Sequence, residues 1–138
     1  MTRATRTPGA SLKPWCCQRL NEAVIGVRRK INVGVRCGGG THKADAMARL
    51  GTDEILVSLK WQQTGGTAEQ KVPFEVMCLA DAVRAGNATR AYLVLGGDGW
   101  SLRDYYTSGA LADHLIYAKL VRVVTLEAFI RLANNGDL

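Results

Sequence analysis

One stretch limits what this chain can fold into more than any other: residues 43–61, KADAMARLGTDEILVSLKW. In its second half Ile55, Val57, Leu59 and Trp61 alternate with Glu54, Leu56, Ser58 and Lys60, the period of a strand with one buried face. The first half alternates too, Ala44, Ala46 and Ala48 against Lys43, Asp45, Met47 and Arg49, and Leu50-Gly51-Thr52-Asp53 between the halves is turn-like. These signals predict a β-hairpin. With Gly51 and Thr52 as loop residues, Asp45 falls opposite Ser58, their Cβ atoms roughly 5 Å apart, with Lys60 two residues along the same face. A carboxylate, a hydroxyl and an amine then share one surface, and the other surface is apolar.

An acid on one strand and an x-Lys pair on the next resembles the PD-(D/E)XK nuclease superfamily. Ala44-Asp45 matches the "PD" element and Ser58-Leu59-Lys60 the "(D/E)XK" element. Ala44 replaces the proline at little cost. Ser58 stands where the family has Asp or Glu, which removes one expected metal ligand.

The whole chain, 138 residues, reads as one domain, long enough for a core but not for two. A hydrophobic content of 47% with 22% charged residues is that of a globular protein. No apolar run approaches the ~18 residues a membrane span needs, and no signal-peptide pattern opens the chain; an intracellular site, cytoplasmic or beside the nucleoid, is expected. The net charge of +6 and pI ≈ 9.4 suit a polyanionic partner. Cys16, Cys17, Cys37 and Cys78 form no C-x-x-C pair and read as free thiols rather than a zinc site.

In chain order, residues 1–13 form a basic arm carrying Arg3 and Arg6, poor in anything to bury, and residues 14–138 form the domain. Leu20, Ala23, Val24 and Val27 give a helical stripe over residues 14–30, with Glu22 off the stripe and Arg28, Arg29 and Lys30 at its end, where cations suit the macrodipole. Residues 31–37 alternate as a first strand. Gly38-Gly39-Gly40 with Thr41 and His42 lacks a P-loop ending and reads as a loop beside the site. After the hairpin, Thr67 and Gln70 have capping-box spacing. A helix to about Ala85 follows, its regular part beginning near Pro73, with Val72, Val76, Leu79 and Val83 inward. Ala91-Tyr92-Leu93-Val94-Leu95 reads as a strand buried on both faces. A helix over residues 101–117 broken at Gly109, a short strand over residues 120–124 and a helix over residues 125–134 complete the chain. Trp100, Arg103, Tyr105 and Tyr106 form an aromatic-basic cluster expected against the last helix.

The order α-β-β-β-α-β-α-β-α predicts an α/β fold, a mixed sheet flanked by helices. By resemblance this is a restriction-endonuclease-like core. The resemblance implies a Mg2+-dependent DNA endonuclease, with Mn2+ able to substitute and no small-molecule cofactor. In it Asp45 is the principal metal ligand, the backbone carbonyl of Leu59 a second, and Lys60 orients the attacking water. The carboxylate absent at Ser58 must come from Glu22, Glu69 or Glu75. Family members that move this acid to the following helix favour Glu69 or Glu75, and Glu75 lies just off the Val72/Val76 stripe. Gln62, on the Ser58 and Lys60 face, is a candidate for binding the water or a phosphate oxygen. Arg28, Arg29, Lys30, His42, Lys43, Gln63 and Lys71 are candidates for gripping DNA, with Arg3 and Arg6 on the arm. So small a domain covers few base pairs, so a homodimer without membrane contact is expected. Homing, restriction and junction-resolving roles stay open. The competing classes are a non-catalytic nucleic-acid-binding protein of the same fold and a protein-interaction module with a basic surface.

Overall fold

The computed structural model describes residues 27–138, with side chains from Lys30 onward. The expected N-terminal helix, the arm with Arg3 and Arg6, Glu22, Cys16 and Cys17 lie outside the described residues.

Five strands form one mixed sheet in the order β1-β2-β3-β4-β5. They are β1 (Val27–Val35), β2 (Thr41–Leu50), β3 (Asp53–Trp61), β4 (Arg90–Gly96) and β5 (Val121–Thr125). The first three make an antiparallel meander, and β3, β4 and β5 run parallel. Helix α1 (Ala68–Arg84) connects β3 to β4, the short α2 (Arg103–Thr107) lies between β4 and β5, and α3 (Leu126–Asn135) follows β5. This is the mixed sheet with flanking helices that the sequence predicts.

Both faces of the sheet are covered. Leu56, Leu93, Leu95, Val121 and Val123 pack with Val72, Val76 and Leu79 of α1 and with Trp100, Tyr106 and Leu111. Ile55, Val57, Leu59, Tyr92 and Val94 pack with Leu126, Phe129 and Ala133 of α3. The alternation in β3 and the unbroken apolar run of β4 follow from this. The first strand supplies only an edge, while the parallel strands are sandwiched and need apolar side chains on both sides. Thr125 caps α3 by accepting from the Ala128 amide at 3.2 Å, and Gly136 ends it at φ 70.

The structure corrects several expectations. Arg28, Arg29 and Lys30 do not end a helix: their backbone belongs to β1, where Arg28 pairs with Met47 and Arg29 with Ala46. A free β2 edge recruited the chain into the sheet one turn earlier than local propensity indicates. Thr67 makes no side-chain cap, so Thr67 and Gln70 form no capping box. Helix α1 runs straight through Pro73. Proline removes the N–H that would bond the Glu69 carbonyl, and the Tyr106 hydroxyl donates to that carbonyl instead, at 2.8 Å. Trp100 and Tyr106 pack on the α1 side rather than against the last helix. The expected helix over residues 101–117 is α2 plus two 3-10 turns, broken at Gly109, whose φ is 84.

Candidate active site

The hairpin register is the expected one: Ala46 pairs with Val57, Met47 with Leu56, Ala48 with Ile55, and Leu50 with Asp53 across the turn. The even alternation of the alanines is not. Ala46 and Ala48 enter the α3-side core, while Ala44 enters the α1-side core, so the side-chain alternation of β2 breaks at Asp45. Opposite it, Lys30 of β1 takes a left-handed φ of 49 between the Arg29–Ala46 and Ile31–Ala44 pairs. The β1–β2 register is the same on either side of this point and shifts only between Asn32 and Val35. Here the Asp45 carboxylate accepts the Leu59 amide at 2.7 Å, taking a backbone donor beyond the last hairpin pair.

Ser58, one residue before Leu59, is 3% exposed, and a hydroxyl so buried must find a partner. Its Oγ donates to Glu75 Oε1 at 3.0 Å. His42 Nε2 meets the same oxygen at 3.1 Å, and Lys60 Nζ stands 4.0 Å from Oε2. Glu75 comes from α1, whose Val72 and Val76 dock on the sheet; that docking turns the next position toward the end of β3. Two carboxylates thus bracket the Ser58–Leu59 peptide, Asp45 on the amide and Glu75 on the hydroxyl. Lys60, Glu75 and His42 open into a cleft of about 450 Å3 lined also by Arg36, Thr41, Lys43, Lys71 and Phe74. A larger cavity of about 560 Å3 between α2 and β5 is lined by Tyr106, Leu111, Lys119 and Arg122 but by no carboxylate.

Three sequence candidates take other roles. Glu69 points to the start of α2, accepting from the Leu102 amide at 3.0 Å and from the Ser101 amide and hydroxyl. The Leu102 amide first, and then Ser101, hold its carboxyl below the ordinary carboxylate range. Gln62 is buried, its amide donating to the Gly99 carbonyl at 2.7 Å and accepting from the Ala68 amide at 3.1 Å. It therefore ties the loop after β4 to the start of α1 and offers nothing to a ligand. His42 is buried at 5% exposure and backs Glu75 rather than reaching phosphate from a loop. Gln63 is exposed and lines no part of the cleft. Lys43 and Lys71 are exposed on its rim, and Arg36 joins them there. Sequence reasoning missed Arg36 and Phe74, whose only signal was proximity to His42 and Glu75.

Cys37 and Cys78 are free thiols. Cys37 donates to Asp81 Oδ2 at 3.2 Å; that bond, then burial and the neighbouring Cys78, push its thiol up to about 12.

A family model for the PD-(D/E)XK nuclease superfamily domain matches residues 11–136. The chain belongs to the PD-(D/E)XK nuclease superfamily. No curated protein matches it. Among solved structures, the PD-(D/E)XK domain is similar to the small subunit of the heterodimeric restriction endonuclease R.BspD6I. That match has TM-score 0.53 at 15% identity and covers 95% of this chain and 70% of that one. It is also similar to a protein of unknown function, AF1548, with TM-score 0.51 at 11% identity over 83% of this chain. The chain spans about half the length of AF1548, 56%. At these identities the likeness is one of fold: the restriction-endonuclease-like α/β core.

Among the described residues no group of three or more His, Cys, Asp or Glu side chains converges as a metal cage, and no helix is long and apolar enough to cross a membrane. The carboxylates of Asp45 and Glu75, bonded to either side of the Ser58–Leu59 peptide, are donors of the oxygen type that a hard divalent cation takes. Mg2+ keeps several of its waters and uses one or two carboxylates rather than an all-protein cage.

Proposed function

We propose that this PD-(D/E)XK protein is a metal-dependent endodeoxyribonuclease that uses Glu75 in place of the missing acid at position 58. The observation that carries the reading is the 3.0 Å bond from Ser58 Oγ to Glu75 Oε1, which brings a carboxylate to the spot the family motif fills from the strand. Asp45, Glu75 and the Leu59 carbonyl would hold Mg2+, with Mn2+ able to substitute. When bound, such an ion supplies Lewis acidity and a more acidic water.

The chain's own groups do the rest. Ser58 and His42 both meet Glu75 Oε1 and fix that carboxylate in one orientation. The Lys60 ammonium, partly exposed beside Glu75, neutralises charge gathering on the phosphoryl oxygens and orients the attacking water. Lys43, Lys71 and Arg36 on the rim attract the polyanion. Cutting both strands of a duplex would take two copies, one site per strand, and the work is intracellular, where DNA is. Homing, restriction and junction resolution all use this chemistry.

The test is nicking of supercoiled plasmid by the full chain in Mg2+ and in Mn2+. Activity that vanishes in Asp45→Ala and in Lys60→Ala supports the proposal. The second reading, a non-catalytic nucleic-acid-binding protein, draws on the serine at position 58; salt-sensitive plasmid binding without nicking in either metal would establish it over the first.

A further inference from the structure

Four cations ring the cleft beside Glu75: Arg36, Lys43, Lys60 and Lys71. Of these four, and among the described residues, only Lys60 has a carboxylate within ion-pair range; the Arg36 guanidinium bonds the Gly39 carbonyl. On the same rim stands Phe74, 44% exposed, while Val72 and Val76 on the same helix are buried. Keeping a large apolar ring in water forfeits the benefit of burying it, and here it forfeits it in the middle of unpaired positive charge. A ring beside cations is the arrangement that holds unpaired nucleic acid: cations take the backbone, and the aromatic face takes a base. The cleft's volume of about 450 Å3 falls within the roughly 300–1,000 Å3 of sites for small ligands, room for a nucleotide and not for a duplex.

A second apolar stretch lies close by, and its surroundings differ. Met77, one turn along α1, borders a separate cavity with Ile116 and Tyr117, and no Lys or Arg lines it. Asp81 and His114 line it too, and its Tyr117 ring already carries the Arg84 guanidinium at 3.7 Å, whereas four cations line the cleft at Phe74.

We propose that Phe74 is the stacking platform for one unpaired nucleotide whose phosphates are gripped by Arg36, Lys43 and Lys71. The preferred substrate then presents a single-stranded nucleotide next to the cut: a frayed end, a flap or a displaced strand. In an uninterrupted duplex every base face is already stacked on its neighbours, and the ring has nothing to bind. This inference rests on the nuclease reading and narrows its substrate class.

The experiment is equilibrium binding of the full chain in EDTA, where no cleavage occurs, to a short fluorescein-labelled single strand and to the matching duplex. Phe74→Ala should weaken single-strand binding roughly 5- to 150-fold, the range of one lost base stack, and leave duplex binding within about twofold. Phe74→Trp should retain the affinity, and Phe74→Leu, apolar without a ring, should behave like Phe74→Ala. A 2-aminopurine base in the strand should be quenched by the wild type and not by Phe74→Ala. Unchanged single-strand affinity in Phe74→Ala, or full affinity in Phe74→Leu, overturns the inference. So does a Phe74→Ala chain that changes sedimentation from dimer to monomer with its single-strand affinity intact, which makes the ring a subunit contact. Salt-sensitive binding indifferent to Phe74 removes this inference alone, whereas a wild type that binds neither strand form removes the nuclease reading as well.

Discussion

Placing an acid back at position 58 should damage the protein unless Glu75 is removed at the same time. Ser58 Oγ lies 3.0 Å from Glu75 Oε1, so an Asp at position 58 puts two carboxylates within about 4 Å. At an effective dielectric near 20, two like charges at that distance repel by about 4 kcal/mol. Lys60, 4.0 Å from Oε2, offsets part of this, and uptake of a proton by one acid caps the remainder. Ser58→Asp should therefore lose about 1–3 kcal/mol of stability in a urea titration. Glu75→Gln keeps an oxygen for Ser58 and His42 but removes the charge, and its plasmid nicking should fall about 100-fold or more. The double variant, Ser58→Asp with Glu75→Gln, should regain the lost stability and nick at least about tenfold faster than Glu75→Gln alone. If the two single effects on stability instead add to within about 0.5 kcal/mol, the two positions do not compete for one carboxylate, and the reasoning is refuted.

Three further outcomes follow from the same structure. Because the Leu102 and Ser101 donors hold the Glu69 carboxyl below its ordinary 4.5, the folded protein binds fewer protons there than the unfolded chain. Its contribution is present above that ordinary value and disappears as pH falls through the lower, folded value, so in thermal melts the gap between wild type and Glu69→Gln should close in acid and reopen toward neutrality; a gap independent of pH would contradict this. Tyr106→Phe strands the Glu69 carbonyl that Pro73 leaves unbonded, and should cost about 1 kcal/mol in chemical denaturation, a loss that Pro73→Ala in the same chain should largely cancel. The Cys37 thiol, pushed up to about 12 chiefly by its bond to Asp81, should alkylate very slowly with iodoacetamide at mildly alkaline pH, and Asp81→Asn should speed that labelling about tenfold or more; equal rates would show that the bond does not control the thiol.

Much of the fold was legible because it rests on local periodicity. Gly51 and Thr52 with alternation on either side set the pairing of Leu50 with Asp53, and with it the hairpin register. The apolar run of β4 marked a strand covered on both faces, and Gly109 marked the break after α2. What local pattern did not carry was the start of β1 at Val27, since a strand edge and a helix end compete for the same residues and the neighbouring strand decides. Nor did it carry the continuation of α1 across Pro73, where the hydroxyl of Tyr106, far along the chain, bonds the Glu69 carbonyl.

The candidate acid Asp45 and the candidate amine Lys60 could be read from the sequence, because a strand fixes its neighbours by counting residues. Which glutamate joins Ser58 could not be fixed that way. The sequence leaves Glu22, Glu69 and Glu75 as candidates and favours Glu75 for its place just off the Val72/Val76 stripe; the docking of Val72 and Val76 on the sheet is what sets Glu75 beside Ser58 and leaves Glu69 facing Ser101 and Leu102. Gln62 and His42 were drawn to structural partners by the same cause. Once packing removes a polar side chain from water it must bond to whatever polar group lies nearest in space, and nearness in space is a property of the folded chain.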